Sequence, residues 1–276
     1  MMRSMVSPTP VLTSFANPRV KAATALRDRR QRDRTGLTLI DGVRELRRAL
    51  YAGVSVVEAF VCEPLLAGPD ARAVFDRLCA DGTTLHTTSE PVFAKLAFGE
   101  RAEGIVAVVR IPTTRLDDLA LPPAPLVMVI EGVEKPGNLG ALLRSADGAG
   151  VDAVVVASPR TDIFNPNAIR ASAGTVFSVL LAAAPTADVV AWLRARSIRI
   201  VPARVDAERL YTATDLSGPV AIVLGAEDDG LTSEWTTPDI EAVRLPMLGV
   251  ADSLNVSASG AVLLYEARRQ RGVPAV

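Results

Sequence analysis

Cysteine and histidine are scarce in this chain, and their scarcity argues against several kinds of catalytic site. Cys62, Cys79 and His86 are the only such residues among the 276 of the chain. So few thiols and imidazoles argue against a cysteine zinc site, a Ser-His-Asp triad and a disulfide scaffold. We expect these three residues to have packing roles.

Long apolar runs are also absent. The longest candidate, residues 176–184, is far shorter than the roughly 20 apolar residues that span a bilayer. The opening MMRSMVSPTP has no apolar core and no small-residue cleavage site, so it does not resemble a signal peptide. The sequence therefore predicts a soluble cytoplasmic protein with no membrane partner.

The order of predicted elements indicates an α/β protein of two domains. Apolar residues make up 49% of the chain, and alanine, valine and leucine supply most of them. Strand and helix patterns alternate over residues 1–112, stop in a proline-rich linker at 113–125 and resume over 126–276. This alternation indicates a parallel sheet with both faces covered. Individual predictions include one helix over residues 20–33, a strand over 177–183 and a strand over 242–248.

A basic block near the start of the chain indicates contact with nucleic acid. The net charge is −1, yet residues 17–48 hold ten Lys and Arg residues against four acidic residues. Positive charge concentrated on one segment of an otherwise acidic protein is typical of a phosphate-contacting surface. A solvated helix face would give the same pattern, so charge alone leaves both interpretations open. Within the block, Arg29, Arg30 and Arg32 are the predicted RNA contacts.

Three segments of the second half follow predicted strands, where open parallel sheets bind their ligands. In the first segment a strand ends at Glu131, and G-N-L-G opens a helix. Asn138 fits the N-cap of that helix and Arg144 fits a surface ion pair, although both also suit a binding site. The fingerprint G-x-G-x-x-G is absent, which argues against a nucleotide-dependent oxidoreductase and against the usual Rossmann methyltransferase.

The other two segments combine glycine with acidic, amide and hydroxyl side chains. Gly225 directly follows a Val-Leu strand and permits close approach of a ligand to the backbone. Glu227 and two aspartates come next; an acidic helix entry explains them, and no second cluster is spaced to complete a metal site. Ser253 and Asn255 stand before the last helix, either as caps or as pocket residues. Small residues in its first turns predict close packing against a helix or a folded loop.

These three segments, in this order, resemble the SpoU (TrmH) branch of the SPOUT methyltransferases over about residues 126–272. The first motif is N-x-G-x-x-x-R, here Asn138 to Arg144. The second is G-x-E-x-x-G, here Gly225 to Gly230, and the third is P-M followed by S-L-N-V-S, here from Pro246. One motif alone would be weak, but three in register are highly specific.

The resemblance implies a fold, a cofactor and an assembly. The implied fold is α/β, with a C-terminal parallel-sheet SPOUT domain that contains a deep trefoil knot. A smaller α/β domain, ribosomal-protein-L30e-like and RNA-binding, precedes it. The resemblance further implies a homodimer that binds S-adenosyl-L-methionine through the backbone at Gly225, Leu245 and Leu254, with Ala203 at a neighbouring strand end.

The resemblance also implies a substrate. The opening N-P-x-V-K, from Asn17 to Lys21, and a passage near Gly104 resemble the RNA-recognition domain that precedes the SpoU core. Arg170 resembles a family arginine that meets RNA phosphate. The whole pattern resembles actinomycete methyltransferases of the avilamycin-resistance type, which implies 2′-O-ribose methylation of 23S ribosomal RNA and antibiotic resistance. A transfer-RNA methyltransferase and a non-catalytic RNA-binding assembly factor are the alternatives.

The family assigns roles to the motif residues. Its proposed base for the ribose hydroxyl is the motif-one arginine, here Arg144. A guanidinium stays protonated up to about pH 12, so phosphate binding and charge stabilisation of the alkoxide are an equal alternative. Asn138 would orient Arg144 or the ribose, and Glu227 would position the Asn138 side or the cofactor. Ser253 and Asn255 would complete the pocket.

Overall fold

Strands and helices alternate along both halves of the chain in the computed structural model, which describes residues 10–98, 103–226 and 230–272. The chain divides into two units. The first unit comprises the described residues up to Pro112 together with Phe164–Arg170. The second unit comprises Thr113–Ile163 and the described residues from Ala171 onward.

The first unit is a four-stranded sheet with helices. Its strands are β1 (Leu37–Asp41), β2 (Val56–Val61), β3 (Thr84–Thr87) and β4 (Ile105–Arg110), in the spatial order β1-β4-β2-β3. β4 is antiparallel to β1 and β2, whereas β2 and β3 are parallel, so this sheet is mixed. Its helices are α1 (Pro18–Ala25), α2 (Arg29–Thr35), α3 (Val43–Tyr51), α4 (Gly68–Ala80) and α5 (Glu90–Leu96). Residues of α1, α5 and three strands share one apolar core.

The single helix predicted over residues 20–33 is wrong, because α1 and α2 divide that segment. The Asp28 side chain caps α2 by accepting the backbone N–H two residues later at 2.9 Å. The Arg32 guanidinium, only 1% exposed, donates to the carbonyl oxygens of Leu26 (2.7 Å) and Arg27 (2.8 Å). A cap and a buried cation therefore stabilise a turn that helical periodicity does not reveal.

The second unit is built on a parallel sheet, as the element order predicts. Its strands are β5 (Leu126–Glu131), β6 (Ala153–Ala157), β7 (Leu181–Ala184), β8 (Arg199–Pro202), β9 (Arg209–Leu210), β10 (Val220–Leu224) and β11 (Val243–Arg244). Five of them form a sheet in the order β7-β6-β5-β10-β8, and β9 and β11 form a parallel pair. β5, β6 and β10 are buried throughout, which explains their continuous apolar sequences. The helices are α6 (Pro136–Ala149), α8 (Thr186–Ala195) and α9 (Val256–Arg271).

Two predicted strands are shorter in the structure. The strand expected over residues 177–183 begins only at Leu181, because Phe177 belongs to a 3₁₀ turn. The strand expected over 242–248 consists of Val243 and Arg244 alone. Pro246 has no backbone N–H to continue the ladder, which limits β11 to two residues.

The linker predicted at residues 113–125 is packed onto the second unit. Leu119 is buried in the core of that unit, and the Ala183 N–H donates to the Thr114 carbonyl oxygen at 2.8 Å. The short helix α7 (Pro166–Ala171) lies within the predicted methyltransferase domain, yet Phe164–Arg170 belongs to the first unit. The Thr38 hydroxyl donates to the Phe164 carbonyl oxygen there at 2.7 Å.

The expected packing roles of the cysteines and the histidine are correct only in part. Cys62 is fully buried, but Cys79 is exposed. His86 is 7% exposed and its Nε2 lies 2.8 Å from Glu58 Oε2, so it belongs to a polar pair as well as to the core.

The last helix packs tightly on α6, as its small residues predict. A Cβ at Gly260 would lie 2.5 Å from Leu142 Cδ2, so no larger residue fits there without a shift. The Arg268 guanidinium donates to the carbonyl oxygens of Ala149 (2.7 Å) and Gly150 (2.5 Å) at the end of α6. Of the helices in the described part of the chain, none has the length and apolar character needed to cross a bilayer.

Candidate active site

The first predicted site segment is the start of α6, where the structure corrects the role of Asn138. Lys135 is the N-cap residue, and Asn138 is the third residue of the helix, so the N-cap interpretation of Asn138 is wrong. Pro136 explains the earlier start, because its fixed φ and missing N–H suit the first helical position. Asn255 is the N-cap of α9, and its Oδ1 accepts the Ser257 N–H at 2.9 Å.

The two asparagines lie together. Asn255 Nδ2 donates to Asn138 Oδ1 at 3.3 Å, which joins the starts of α6 and α9. The first and third sequence motifs therefore meet, although they are separated by more than 100 residues in the chain.

Gly140 and Arg144 lie on one side of α6, four residues apart. A Cβ at Gly140 would lie 2.4 Å from Ala171 Cβ and 2.6 Å from the Ser172 backbone nitrogen. The glycine of N-x-G-x-x-x-R is therefore required by close approach of residues 171–172. Arg144, one turn later, is exposed, and its side chain makes no hydrogen bond or ion pair with the residues that the structure describes. The expected surface ion pair is not found there.

Gly225 lies where the chain folds back after β10. A Cβ there would lie 2.6 Å from the carbonyl carbon and oxygen of Gly230 and 2.8 Å from the Leu231 nitrogen. Ala226 and Gly230 exchange two backbone hydrogen bonds of 3.2 Å. The sequence predicts close approach of a ligand to Gly225, whereas the close neighbours in the structure are Gly230 and Leu231 of the chain itself. Glu227, the acidic residue of this motif, lies outside the described residues.

The other predicted cofactor residues lie at or after neighbouring strand ends. The Ala203 N–H donates to the Val223 carbonyl oxygen at 2.8 Å, and Ala203 also pairs with Val243 of β11. Leu245 directly follows β11, so Ala203, the end of β10 and Leu245 are close through the backbone. Leu254 is 43% exposed.

The loop from Leu245 to Leu254 leaves its polar backbone groups available. Within the described chain, residues 245–254 make no backbone–backbone hydrogen bond. Ser253 in this loop is exposed and is not a helix cap, since Asn255 has that role. Leu248 and Val250 of the same loop are almost completely exposed. The loop thus offers apolar surface, together with backbone donors and acceptors that no described backbone group uses.

Glu131 is a site residue that sequence reasoning treated only as a strand end. Its carboxylate is 3% exposed at the carboxyl end of β5. Thr186 Oγ1 donates to it at 2.6 Å, and the Thr232 N–H and hydroxyl each donate at 2.9 Å. The sequence did contain a signal for this residue: an acidic residue ends an otherwise apolar strand, and a buried carboxylate requires hydrogen-bond partners.

A groove of about 670 Å³ in the second unit does not coincide with the predicted site. It lies beside β9 and the residues that precede β11, and Ala203, Gly225, Leu245 and Leu254 do not line it. Nearby, Arg204 donates to both Asp206 oxygens at 2.9 and 2.6 Å, and these bonds hold the pKa of that carboxyl below its usual value. No group of three or more potential metal ligands occurs in the described part of the chain.

The predicted RNA contacts of the first unit divide into two kinds. Arg29 and Arg30 are exposed on α2, and Arg29 lies 3.6 Å from Asp33. The prediction of Arg32 as an RNA contact is wrong, because its guanidinium is buried and donates to the backbone carbonyl oxygens described above. Arg170 Nη1 donates to Asp41 Oδ2 at 3.3 Å, and its side chain is 29% exposed.

Comparison with known proteins identifies both parts of the chain. Residues 125–265 match the SpoU rRNA Methylase family, and residues 17–107 match the MRM3-like substrate binding domain. A crystal structure of an RNA 2′-O ribose methyltransferase is 42% identical, with a TM-score of 0.83 over 95% of this chain and 99% of that chain. The 23S rRNA (guanosine-2′-O-)-methyltransferase RlmB of Pectobacterium atrosepticum is 34% identical over 75% of this chain and 89% of its own length.

A third relative corresponds to the resistance-type resemblance in the sequence. The 23S rRNA (uridine(2479)-2′-O)-methyltransferase of Streptomyces viridochromogenes is 30% identical over 89% of this chain and 87% of its own length. The structure of AviRb from that organism, a SpoU methyltransferase in complex with AdoMet, superposes with a TM-score of 0.84 at 29% identity, over 92% of this chain and 98% of that chain. The resemblance seen in the three motifs is confirmed: this chain belongs to the SpoU rRNA methylase family.

Proposed function

We propose that this protein transfers a methyl group from S-adenosyl-L-methionine to a ribose 2′-oxygen of 23S ribosomal RNA. The observation that carries the proposal is the exposed Arg144, which stands without an ion-pair partner among the described residues one turn beyond the fixed Gly140. An exposed cation that no described residue neutralises is suited to a negatively charged substrate. The relatives with 23S ribosomal RNA activity support the choice of RNA.

The residues at the carboxyl edge of the sheet fit the proposed cofactor. The unbonded backbone of residues 245–254 offers donors and acceptors to an adenine edge, and Leu254 offers apolar surface. Gly225, Leu245 and Leu254 would hold the cofactor through their backbone, with Ala203 beside them. When bound, S-adenosyl-L-methionine supplies an electrophilic methyl group on a sulfonium centre.

Arg144 has the central role in the proposed mechanism. The ribose hydroxyl is a weak nucleophile, so its oxygen needs charge stabilisation as the proton leaves. The Arg144 guanidinium would supply that charge or hold the adjacent phosphate. Asn138 and Asn255, which already form one hydrogen bond, would orient the ribose. Ser253 and Glu227 remain predictions from the sequence for the rest of the pocket.

Replacing Arg144 separates chemistry from cofactor binding. In Arg144→Ala we expect kcat to fall by about 100-fold or more, the loss typical of one transition-state donor, while the cofactor Kd changes less than twofold. Arg115→Ala is the matched control, because Arg115 is a largely exposed arginine of the same unit. Weakened cofactor binding with normal kcat at saturation would contradict the role of Arg144.

Exposed arginines of α2 are the proposed phosphate contacts of the first unit. Replacing Arg29 and Arg30 by Ala should weaken binding to ribosomal RNA and reduce the salt slope of log Kd, because fewer counterions are released. Arg77→Ala on α4 is a matched control: Arg29 and Arg77 have 54% exposed side chains and an acidic partner four residues later. Equal effects of the α2 replacement and of Arg77→Ala on RNA binding would indicate that α2 is only a solvated helix face. Arg170 is a further proposed phosphate contact, through N–H groups not used by Asp41.

A homodimer is also part of the proposal. Exposed apolar residues occur on α9 and on the loop before it, notably Leu248, Val250, Val262 and Tyr265. Sedimentation at micromolar concentration should give the mass of two chains, and a monomer would contradict the assembly. The trefoil knot and the antibiotic-resistance role remain predictions from the family resemblance.

The substrate is tested with radiolabelled cofactor and separate pools of 23S ribosomal RNA, ribosomal subunits and bulk transfer RNA. Label in ribosomal RNA or subunits is the expected result. Label only in transfer RNA would keep the enzyme class and overturn the substrate. No transfer to any pool, despite cofactor binding, would favour a non-catalytic RNA-binding protein.

A further inference from the structure

Glu131 holds together three segments at the carboxyl edge of the sheet. Its Oε1 accepts the hydroxyls of Thr186 (2.6 Å) and Thr232 (2.9 Å), and its Oε2 accepts the Thr232 N–H (2.9 Å). Thr186 is the first residue of α8, whose amino terminus favours nearby negative charge. Among the described residues, the three donors to this carboxyl group are neutral, so hydrogen bonds and a helix end surround it rather than a cation.

The same network includes a strained residue. Ser158, which follows β6, has a φ of +43°, a conformation that non-glycine residues seldom adopt. Ser158 Oγ accepts the Thr186 N–H at 3.0 Å and lies 2.9 Å from Thr186 Oγ1. A continuous hydrogen-bonded chain therefore runs from Ser158 through Thr186 and Glu131 to Thr232. Such strain persists where the surroundings over-determine the backbone, often at functional sites.

The Thr232 end of this hydrogen-bonded network fixes the return segment, residues 230–232. Thr232 directly follows Leu231, whose backbone, with that of Gly230, lies against Gly225 too closely to admit a Cβ. Anchoring Thr232 to the sheet through Glu131 therefore keeps residues 230–231 against Gly225. Without the Glu131 carboxylate, the two hydrogen bonds that Thr232 donates to the end of β5 are lost.

We propose that Glu131 is a positioning residue for the cofactor: it holds the return segment at Thr232 so that the Gly225 backbone keeps the conformation that receives S-adenosyl-L-methionine. The inference rests on the proposed cofactor role of Gly225. Glu131 itself is not a catalytic residue, because it is buried and its two oxygens are occupied by donors from the chain. Replacement should affect cofactor binding more than the methyl-transfer step.

The test compares cofactor binding and steady-state kinetics in matched variants. In Glu131→Gln, the amide cannot accept from all three donors, and we expect the Kd and KM for S-adenosyl-L-methionine to rise about tenfold. We expect kcat at saturating cofactor to stay within about threefold of wild type. Thr232→Val removes one donor while leaving the carboxylate, and serves if the first variant folds poorly; we expect its KM to rise about three- to fivefold.

Thr236→Val is the control, because the Thr236 hydroxyl donates to the Ser233 carbonyl oxygen outside the network. Its Kd should match wild type within a factor of two. Unchanged Kd in both Glu131→Gln and Thr232→Val would overturn the positioning role, even if melting temperatures fell. A loss of kcat with unchanged KM would overturn it as well, because Glu131 would then act on the chemistry. Failure of the wild-type protein to bind the cofactor would refute the proposed function and, with it, this role.

Discussion

Residues 171–172 lie so close to α6 that replacement by alanine should have opposite effects on stability at two glycines of this helix, Gly140 and Gly137. In Gly140→Ala, the new Cβ would lie 2.4 to 2.7 Å from Ala171 and Ser172, including backbone atoms that cannot rotate away. Overpacking of this kind costs about 1–3 kcal/mol, whereas alanine gains up to about 1 kcal/mol over glycine in a helix. We expect Gly140→Ala to lower the free energy of unfolding by about 1–2 kcal/mol.

Gly137→Ala is the matched control, three residues earlier in the same helix. No atom outside the helix's own backbone and the adjacent residues lies within 4 Å of a Cβ at Gly137, so the helix preference of alanine acts alone. We expect this variant to be more stable than wild type by about 0.5 kcal/mol. The two substitutions, chemically identical, should therefore change stability in opposite directions.

The assay is thermal unfolding of the second-unit transition, followed by circular dichroism. A loss of 1–2 kcal/mol should lower Tm by about 2–8 °C in a unit of this size, while Gly137→Ala should raise it by about 1–2 °C. Methyl transfer should also fall in Gly140→Ala, because Arg144 lies one turn away on the side of α6 that must move. A Tm of Gly140→Ala equal to or above that of wild type would refute the close contact.

Three further substitutions test individual interactions. Arg271 donates to four backbone carbonyl oxygens before β5 and β10, so Arg271→Ala should cost about 2–3 kcal/mol in urea unfolding; a cost below about 0.5 kcal/mol would contradict this anchoring. Hydrogen bonds from Arg269 and from the Gln270 amide lower the pKa of Glu266 from 4.5 to about 2. The stabilisation of the folded protein by this carboxylate is therefore complete above pH 4.5 and is lost as the pH falls towards 2. Glu266→Gln should remove about 1 kcal/mol at pH 7, after allowance for solvent screening, and a difference from wild type that stayed constant between pH 5 and 2 would contradict the linkage. Arg32→Ala should destabilise the first unit by about 1–3 kcal/mol, whereas the exposed Arg30→Ala should not, and equal melting temperatures would argue against a structural role for Arg32.

Sequence patterns predicted the parallel sheet of the second unit well, because buried strands such as β5 and β10 are continuous apolar runs. The first two site segments were easy to place because each follows such a strand, whereas the third follows the two-residue strand β11. The break between α1 and α2 was not predictable from periodicity. It depends on an Asp28 cap and on the burial of Arg32, a residue that composition assigns to the surface.

The site shows the same division between local and long-range information. The N-cap of α6 was misassigned because Asn138 is a good capping residue, while Pro136 determines where the helix begins. Gly140 and Gly225 were recognisable as special positions, but the sequence does not show that Gly140 is approached by Ala171 and Ser172, some 30 residues later. Glu131 was overlooked because its partners, Thr186 and Thr232, are distant in sequence.

The most direct test of the central claim is the chemical position of the transferred methyl group. Ribosomal RNA labelled by the wild-type protein would be hydrolysed with alkali and its products separated. A 2′-O-methyl group blocks cleavage of the adjacent phosphodiester, so we expect the label in an alkali-resistant dinucleotide derived from one site. Label released in mononucleotides would place the methyl group on a base and would contradict ribose methylation.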